Sequence, residues 1–147
     1  MTVSPIPSAE LLASYRTAAA ERQALGVPPL TLSAAQAEAL MPLLEQPPAG
    51  EEAVLLELLS ERIPPGVDEA AYVKASWLTA VAKGDSSSPL VSPIEAVRLL
   101  ATMIGGYNVG ALIELLGSAD AAVAEAAAAG LSRTVLVYDA FHDVLEL

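Results

Sequence analysis

The chain has 147 residues, enough to bury a real hydrophobic interior in one domain, and it contains no cysteine. That lack removes disulfides, thiolate zinc sites, a cysteine nucleophile and a thiolate-held iron–sulfur cluster from this chain. With 18 acidic against 7 basic residues the net charge is −11, which repels nucleic acid and anionic membranes alike.

The hydrophobic fraction is 54%, yet aromatics are only 4%, so the apolar content rests on alanine, leucine and valine. Alanine and leucine are the strongest helix formers, and the mixture predicts closely packed helices rather than a β-sandwich. The start, Met1-Thr-Val-Ser-Pro-Ile-Pro7, lacks the basic and apolar regions of a secretory signal. Residues 1–7 are expected to be a flexible lead-in. The longest uncharged stretches, such as Leu99 to Ile113, are too short for a membrane span. A soluble, cytoplasmic protein is the expectation.

Helical runs and breakers then alternate. Ser8 is placed to cap a helix reaching about Leu25, closed by Gly26 and Pro28-Pro29. Ser33 with Gln36 forms a capping-box signature for a second helix ending near Glu45, before Pro47-Pro48-Ala49-Gly50. Leu55, Leu58, Leu59 and Ile63 have the spacing of one helical face. Pro64-Pro65-Gly66 forbids continuous helix, and Asp68 offers an oxygen to the orphan amides of the next first turn. Val73, Trp77 and Val81 predict the buried face of that helix, with Lys83-Gly84 closing it. Ser86-Ser87-Ser88-Pro89 reads as loop. Ser92-Pro93-Ile94-Glu95 is the strongest helix start in the chain: Ser at the N-cap, Pro at N1 and Glu at N3. Val97, Leu100 and Ile104 supply its expected core face, with a stop at Gly105-Gly106. Asn108 is placed to cap the next helix, whose apolar face is Val109, Leu112, Ile113 and Leu116. An alanine-rich helix over residues 119–129 is expected to end at Gly130. Thr134 to Tyr138 has strand-like composition, but Val137, Phe141, Val144 and Leu145 fit a helical face, so helix is expected there.

The expected fold is all-α, one domain over residues 1–147: about eight helices with short connectors, stacked as antiparallel pairs. The spacing of the pairs, about 35 residues, is that of helical solenoids.

No complete reactive constellation emerges. His142, the one histidine, shares a helical face with Asp139 and has Asp143 beside it; that is an incomplete metal cage and too little for a small lyase. A capping or surface role near a helix C-terminus is the simpler reading. Glu51-Glu52 and Asp68-Glu69 are first-turn acids that stabilise a helix dipole. Gly105-Gly106 lacks the pattern of a phosphate-binding loop. Arg62 is placed to hold helix C-terminal carbonyls, and Trp77 reads as core. Tyr107 reads first as a core aromatic and second as a contact residue at a corner. Catalytic, cofactor and metal residues are therefore expected to be none. Arg62, Asp68, Tyr107, Asn108 and His142 are the candidates for an interaction surface.

The connectors, taken in order, resemble the N-terminal helical domain of bacterial aconitase B. The resembling segments are Tyr15-Arg16 with Ala20-Glu21-Arg22, Pro47 to Glu52, Arg62 to Ala75, Ala80 to Gly84 and Ser88-Pro89-Leu90. They continue with Leu99 to Met103, Gly105 to Asn108, and Tyr138 to Val144, so that nearly the whole chain is covered. The resemblance implies a HEAT-like superhelix that does no chemistry itself. It implies packing beside swivelling and catalytic domains of a citrate/isocitrate hydro-lyase of the tricarboxylic acid cycle, a share in an active-site tunnel, and a role in dimer formation. The [4Fe–4S] cluster and the citrate-binding residues of that family belong to other domains. The expected partners are those domains or another protein, with a weak homodimer also expected. The competing reading is a stand-alone helical-repeat adaptor unconnected to aconitase chemistry.

Overall fold

The structure is a computed structural model and describes residues 6–133. It is all-α over those residues, with seven helices: α1 Ser8–Ala24, α2 Ala34–Glu45, α3 Glu52–Glu61, α4 Glu69–Lys83, α5 Pro93–Ala101, α6 Val109–Leu115 and α7 Ala121–Leu131. The further helix expected near the C-terminus, with His142, Asp139 and Asp143, lies outside the described residues.

Local chemistry accounts for the starts. The α2 capping box is complete: the Gln36 amide donates to Ser33 Oγ, and the Ser33 amide donates to Gln36 Oε1. Ser92 accepts from the Glu95 amide with Pro93 at the first helical position, and Asp68 accepts from the Ala71 amide at 2.8 Å. Gly84 ends α4 in the left-handed region, at φ 86°, where a Cβ is penalised. One start and one end differ from expectation. Ser8 is the first helical residue rather than the cap, and α1 follows the extended Pro7 with no side-chain cap. Gly130 does not end α7, which runs through it to Leu131. A Cβ on Gly130 would come within 2.9 Å of the Ala101 methyl, so this glycine lets α7 lie close against the end of α5.

One buried apolar cluster runs through the molecule from Leu11 to Ala127. Within it α4 packs on α2 and α5, and α7 packs on α5 and α6. Leu55, Leu58, Leu59 and Ile63 are buried together as the spacing predicts. Trp77 is buried too, and its indole N–H donates to Glu45 Oε1 at 3.1 Å, so a polar edge at the core boundary is satisfied. In α5 the expected Ile104 is wrong: the helix stops at Ala101, and Met103 fills the interior while Ile104 is 68% exposed.

Connectors alternate between the two ends of the stack. At one end the Leu32 amide donates to Arg62 O at 2.7 Å, and the Ile104 amide donates to Pro65 O at 2.8 Å. These two bonds tie the α1–α2, α3–α4 and α5–α6 connectors into a row. The opposite end is held by side chains: Ser88 Oγ donates to Leu44 O, and ion pairs join Lys83 to Glu114 and Arg16 to Glu51.

The α4 face is rotated from its expected centre. Val73 is only half-buried, whereas Lys74 is 2% exposed and has no ion-pair or hydrogen-bond partner among the described residues. Burial pushes its ammonium below the ordinary lysine value of 10.5. The folded state thus holds this proton less tightly than the unfolded chain. The resulting penalty is complete below the folded value and is relieved as pH rises through it towards 10.5. Lys74→Met keeps the apolar stem and is expected to stabilise the fold at neutral pH by about 1–2 kcal/mol. In denaturant melts that gain shrinks at alkaline pH; a gain independent of pH would show that desolvation of the ammonium is not its source.

Candidate interaction site

The α3–α4 and α5–α6 connectors meet backbone to backbone. Arg62 closes α3, Ile63 is buried as an anchor, and Pro64-Pro65 turns the chain outward. The Pro65 carbonyl then accepts from the Ile104 amide, which brings Gly105 directly over Gly66. A Cβ on Gly105 would stand 1.9 Å from the Gly66 carbonyl oxygen and 2.3 Å from its carbon. Only glycine fits, and the obstacle is main chain, which cannot swing aside. Gly106 follows at φ 93° and turns Tyr107 back towards the first corner.

Tyr107 is 40% exposed, which corrects its reading as a core aromatic. Its hydroxyl donates to the Val67 carbonyl at 2.8 Å, closing a second bond between the connectors. Its ring meets Tyr72 edge to face, with centroids 5.4 Å apart and planes at 77°. That geometry sets the positive edge of one ring against the negative face of the other. Tyr72, Val67 and Ile104 are all exposed around it, so the joint presents an aromatic and aliphatic surface.

Asn108 works underneath. It is fully buried, and its side chain makes no cap bond to the amides of α6. Instead Nδ2 donates to Leu100 O at 2.6 Å and to Met103 O at 3.1 Å, satisfying carbonyls left over at the end of α5. It therefore supports the surface from behind and does not form part of it. Its Oδ1 is buried without a partner among the described residues.

The other candidates divide. Asp68 spends one oxygen on its helix cap. Among the described residues the Arg62 guanidinium holds no helix carbonyl; it lies 3.9 Å from Glu57, a loose pair, while its buried Nε has no partner among those residues. Arg62, Asp68, Tyr107 and Asn108 thus belong to one joint, and His142 lies outside the described residues. Sequence reasoning missed Tyr72, Val67 and Ile104. Tyr72, one helical turn after Asp68, carried a usable signal, since an aromatic beside a helix start is poorly placed for the core face set by Ala71, Ala75 and Leu78. Among the described residues no group of three or more His, Cys, Asp or Glu side chains is placed to hold a metal ion, and no helix is long and apolar enough to cross a membrane.

The glycine contact makes a sharp contrast testable. Gly105→Ala is expected to destabilise the fold by about 2 kcal/mol or more, because backbone must move. Gly66→Ala, with nothing within 4 Å of its added carbon, is expected to stay within about 0.5 kcal/mol of the parent. Urea melts of the two variants measure this directly, and equal effects would mean the joint is loose.

The family described as the aconitate B N-terminal domain matches residues 14–147. The chain is 58% identical over 137 residues to aconitate hydratase B of Synechocystis sp., covering 93% of this chain and 16% of that protein. It is 57% identical over 136 residues to aconitate hydratase B of Salmonella typhimurium, covering 92% of this chain and 16% of the relative. It is 42% identical over 135 residues to aconitate hydratase B of Helicobacter pylori, again 92% of this chain and 16% of the relative. The chain therefore spans about one-sixth of the length of these relatives. With the family profile running from residue 14 to residue 147, this chain belongs to the aconitate B N-terminal domain family.

Proposed function

We propose that this chain is the non-catalytic, protein-binding domain of an aconitase B-type hydro-lyase, an enzyme that interconverts citrate and isocitrate. The observation that carries this reading is the match of nearly the whole chain to about one-sixth of each aconitate hydratase B relative, under the family description of an N-terminal domain. The remaining length of such a protein has ample room for the chemistry. A thiolate-held [4Fe–4S] cluster, the cofactor expected of the parent enzyme, does not fit this chain, because none of its 147 residues is cysteine. No step of the reaction is therefore assigned to residues of this chain.

In this reading the seven described helices are part of a HEAT-like superhelix, a single unit over residues 1–147. The alternation of connectors between two ends and the α2–α4 and α5–α7 contacts between neighbouring pairs support it. The unit packs beside the swivelling and catalytic domains, helps to shape the route to the active site, and contributes to dimer formation in the cytoplasm. What suits it to that work is stiffness. Connectors bonded to one another through main chain offer a surface that loses little conformational freedom on binding.

The expected outcome of mixing this chain with the separately produced remainder of the enzyme is a single co-sedimenting species at micromolar concentration. The chain alone is expected to give no conversion of citrate in a coupled absorbance assay. Separate sedimentation at about 10 μM, well above the dissociation constant of a stable domain contact, would reject the reading and favour the stand-alone adaptor.

A further inference from the structure

With 18 acidic residues for 7 basic ones, every cation of this chain has carboxylates to choose from. Most of the cations are spent within the fold. Arg16 pairs with Glu51, Lys83 with Glu114 and, more loosely, Arg62 with Glu57. Arg22 donates to the Pro28 carbonyl, and Lys74 lies in the interior. Arg98 and Arg133 are left over. Both are exposed, and neither guanidinium has a carboxylate within 4 Å or a hydrogen-bond acceptor among the described residues. Chance would scatter two leftover cations over the surface, yet both line one groove.

The groove lies between α5 and α7, which pack side by side. Gly130 of α7 meets Ala101 at the end of α5, so the two helices finish together. Arg98, in the last turn of α5, and Arg133, just past α7, therefore stand at the same end of the groove. A nearby helix C-terminus accounts for a positive charge at each position, but it leaves the guanidinium donors unspent. Ala122, Ala126 and Ala129 recur on one side of α7 and floor the groove with methyl groups. Its volume, about 450 Å³, falls in the range of small-molecule sites. Glu125 is the one carboxylate in the lining; it stands beyond ion-pair distance of both arginines, and the groove keeps an excess positive charge. Each planar guanidinium fork matches one carboxylate or phosphate group through two parallel hydrogen bonds. A large polyanion would have to approach a chain of net charge −11, whereas a small ligand has only to enter the groove.

We propose that the α5–α7 groove is a binding site for a small dianion bearing two carboxylate or phosphate groups, one held by Arg98 and the other by Arg133. The site is independent of the proposed place of this domain in a longer enzyme. It gives the domain a ligand of its own, and the bound molecule would bridge α5 to the end of α7.

Phenylglyoxal labelling of the intact protein tests it, with peptide mass spectrometry reading each arginine separately. Succinate and pyrophosphate are the two probes, and sodium chloride at matched ionic strength is the reference. One probe at 10 mM is expected to slow labelling of Arg98 and Arg133 together by about tenfold, as a dissociation constant of about 1 mM requires. Arg16, paired elsewhere with Glu51, is expected to label at an unchanged rate. Protection by succinate makes the ligand a dicarboxylate, and protection by pyrophosphate makes it a phosphate. The variant Arg98→Gln alters an exposed side chain and is expected to abolish protection of Arg133, with unchanged helical circular dichroism. Arg98→Lys, which keeps the charge without the fork, is expected to retain a weaker protection. Slowing by chloride as strong as by either probe would reduce the effect to screening and overturn the assignment. Protection of Arg133 that survives Arg98→Gln would overturn it too. So would arginines that resist labelling with no probe present, since the groove would then be filled by the protein itself.

Discussion

The contact of Gly105 on the Gly66 carbonyl is the constraint on which the arrangement of this domain depends. It places two connectors from different helix pairs within main-chain distance, and the bond from the Ile104 amide to Pro65 O holds them there. From that point α4 and α6 must start near each other, which in turn presents Tyr72 to Tyr107 and aims the Tyr107 hydroxyl at Val67 O. Asn108 then has to be buried, and it uses its amide to close the carbonyls of α5 from below. A side chain at Gly105 would act on the angle between helix pairs and so on the whole face.

Much of this was legible in the residues, and the reasons for success and failure are physical. Helix starts were readable because capping is local: Ser33 with Gln36, Asp68, and Ser92 with Pro93 each act within one turn. The corner at Pro64-Pro65-Gly66 was readable because proline and glycine restrict the backbone without help from the rest of the chain. Assignments that depended on distant neighbours were less secure. Asn108 has the right residue type for a cap at α6, yet carbonyls of α5 compete for it and win. Gly130 looks like a helix terminator, and its real constraint is Ala101, 29 positions earlier in the chain. Ile104 continues the periodicity of α5 by number, but the helix has already stopped and Met103 takes the interior.

The candidate surface shows the same division. Arg62, Asp68, Tyr107 and Asn108 do gather at one joint, because they flank the two connectors that touch. Their roles were not readable, since exposure of Tyr107 and burial of Asn108 follow from which way Gly106 turns the chain. Lys74 is similar. A lysine on an alanine-rich helix reads as solvated, and only the rotation of α4 between α2 and α5 puts it inside.

The two ends of the stack are fastened by different means, and this has a mechanical consequence. One edge is clasped by amide–carbonyl bonds between connectors, the other by Lys83–Glu114, Arg16–Glu51 and a serine hydroxyl. Ions in solution weaken exposed charge pairs and leave main-chain bonds almost untouched. Rising salt is then expected to loosen the ion-paired edge first and to leave the row of connectors carrying Tyr72 and Tyr107 in place.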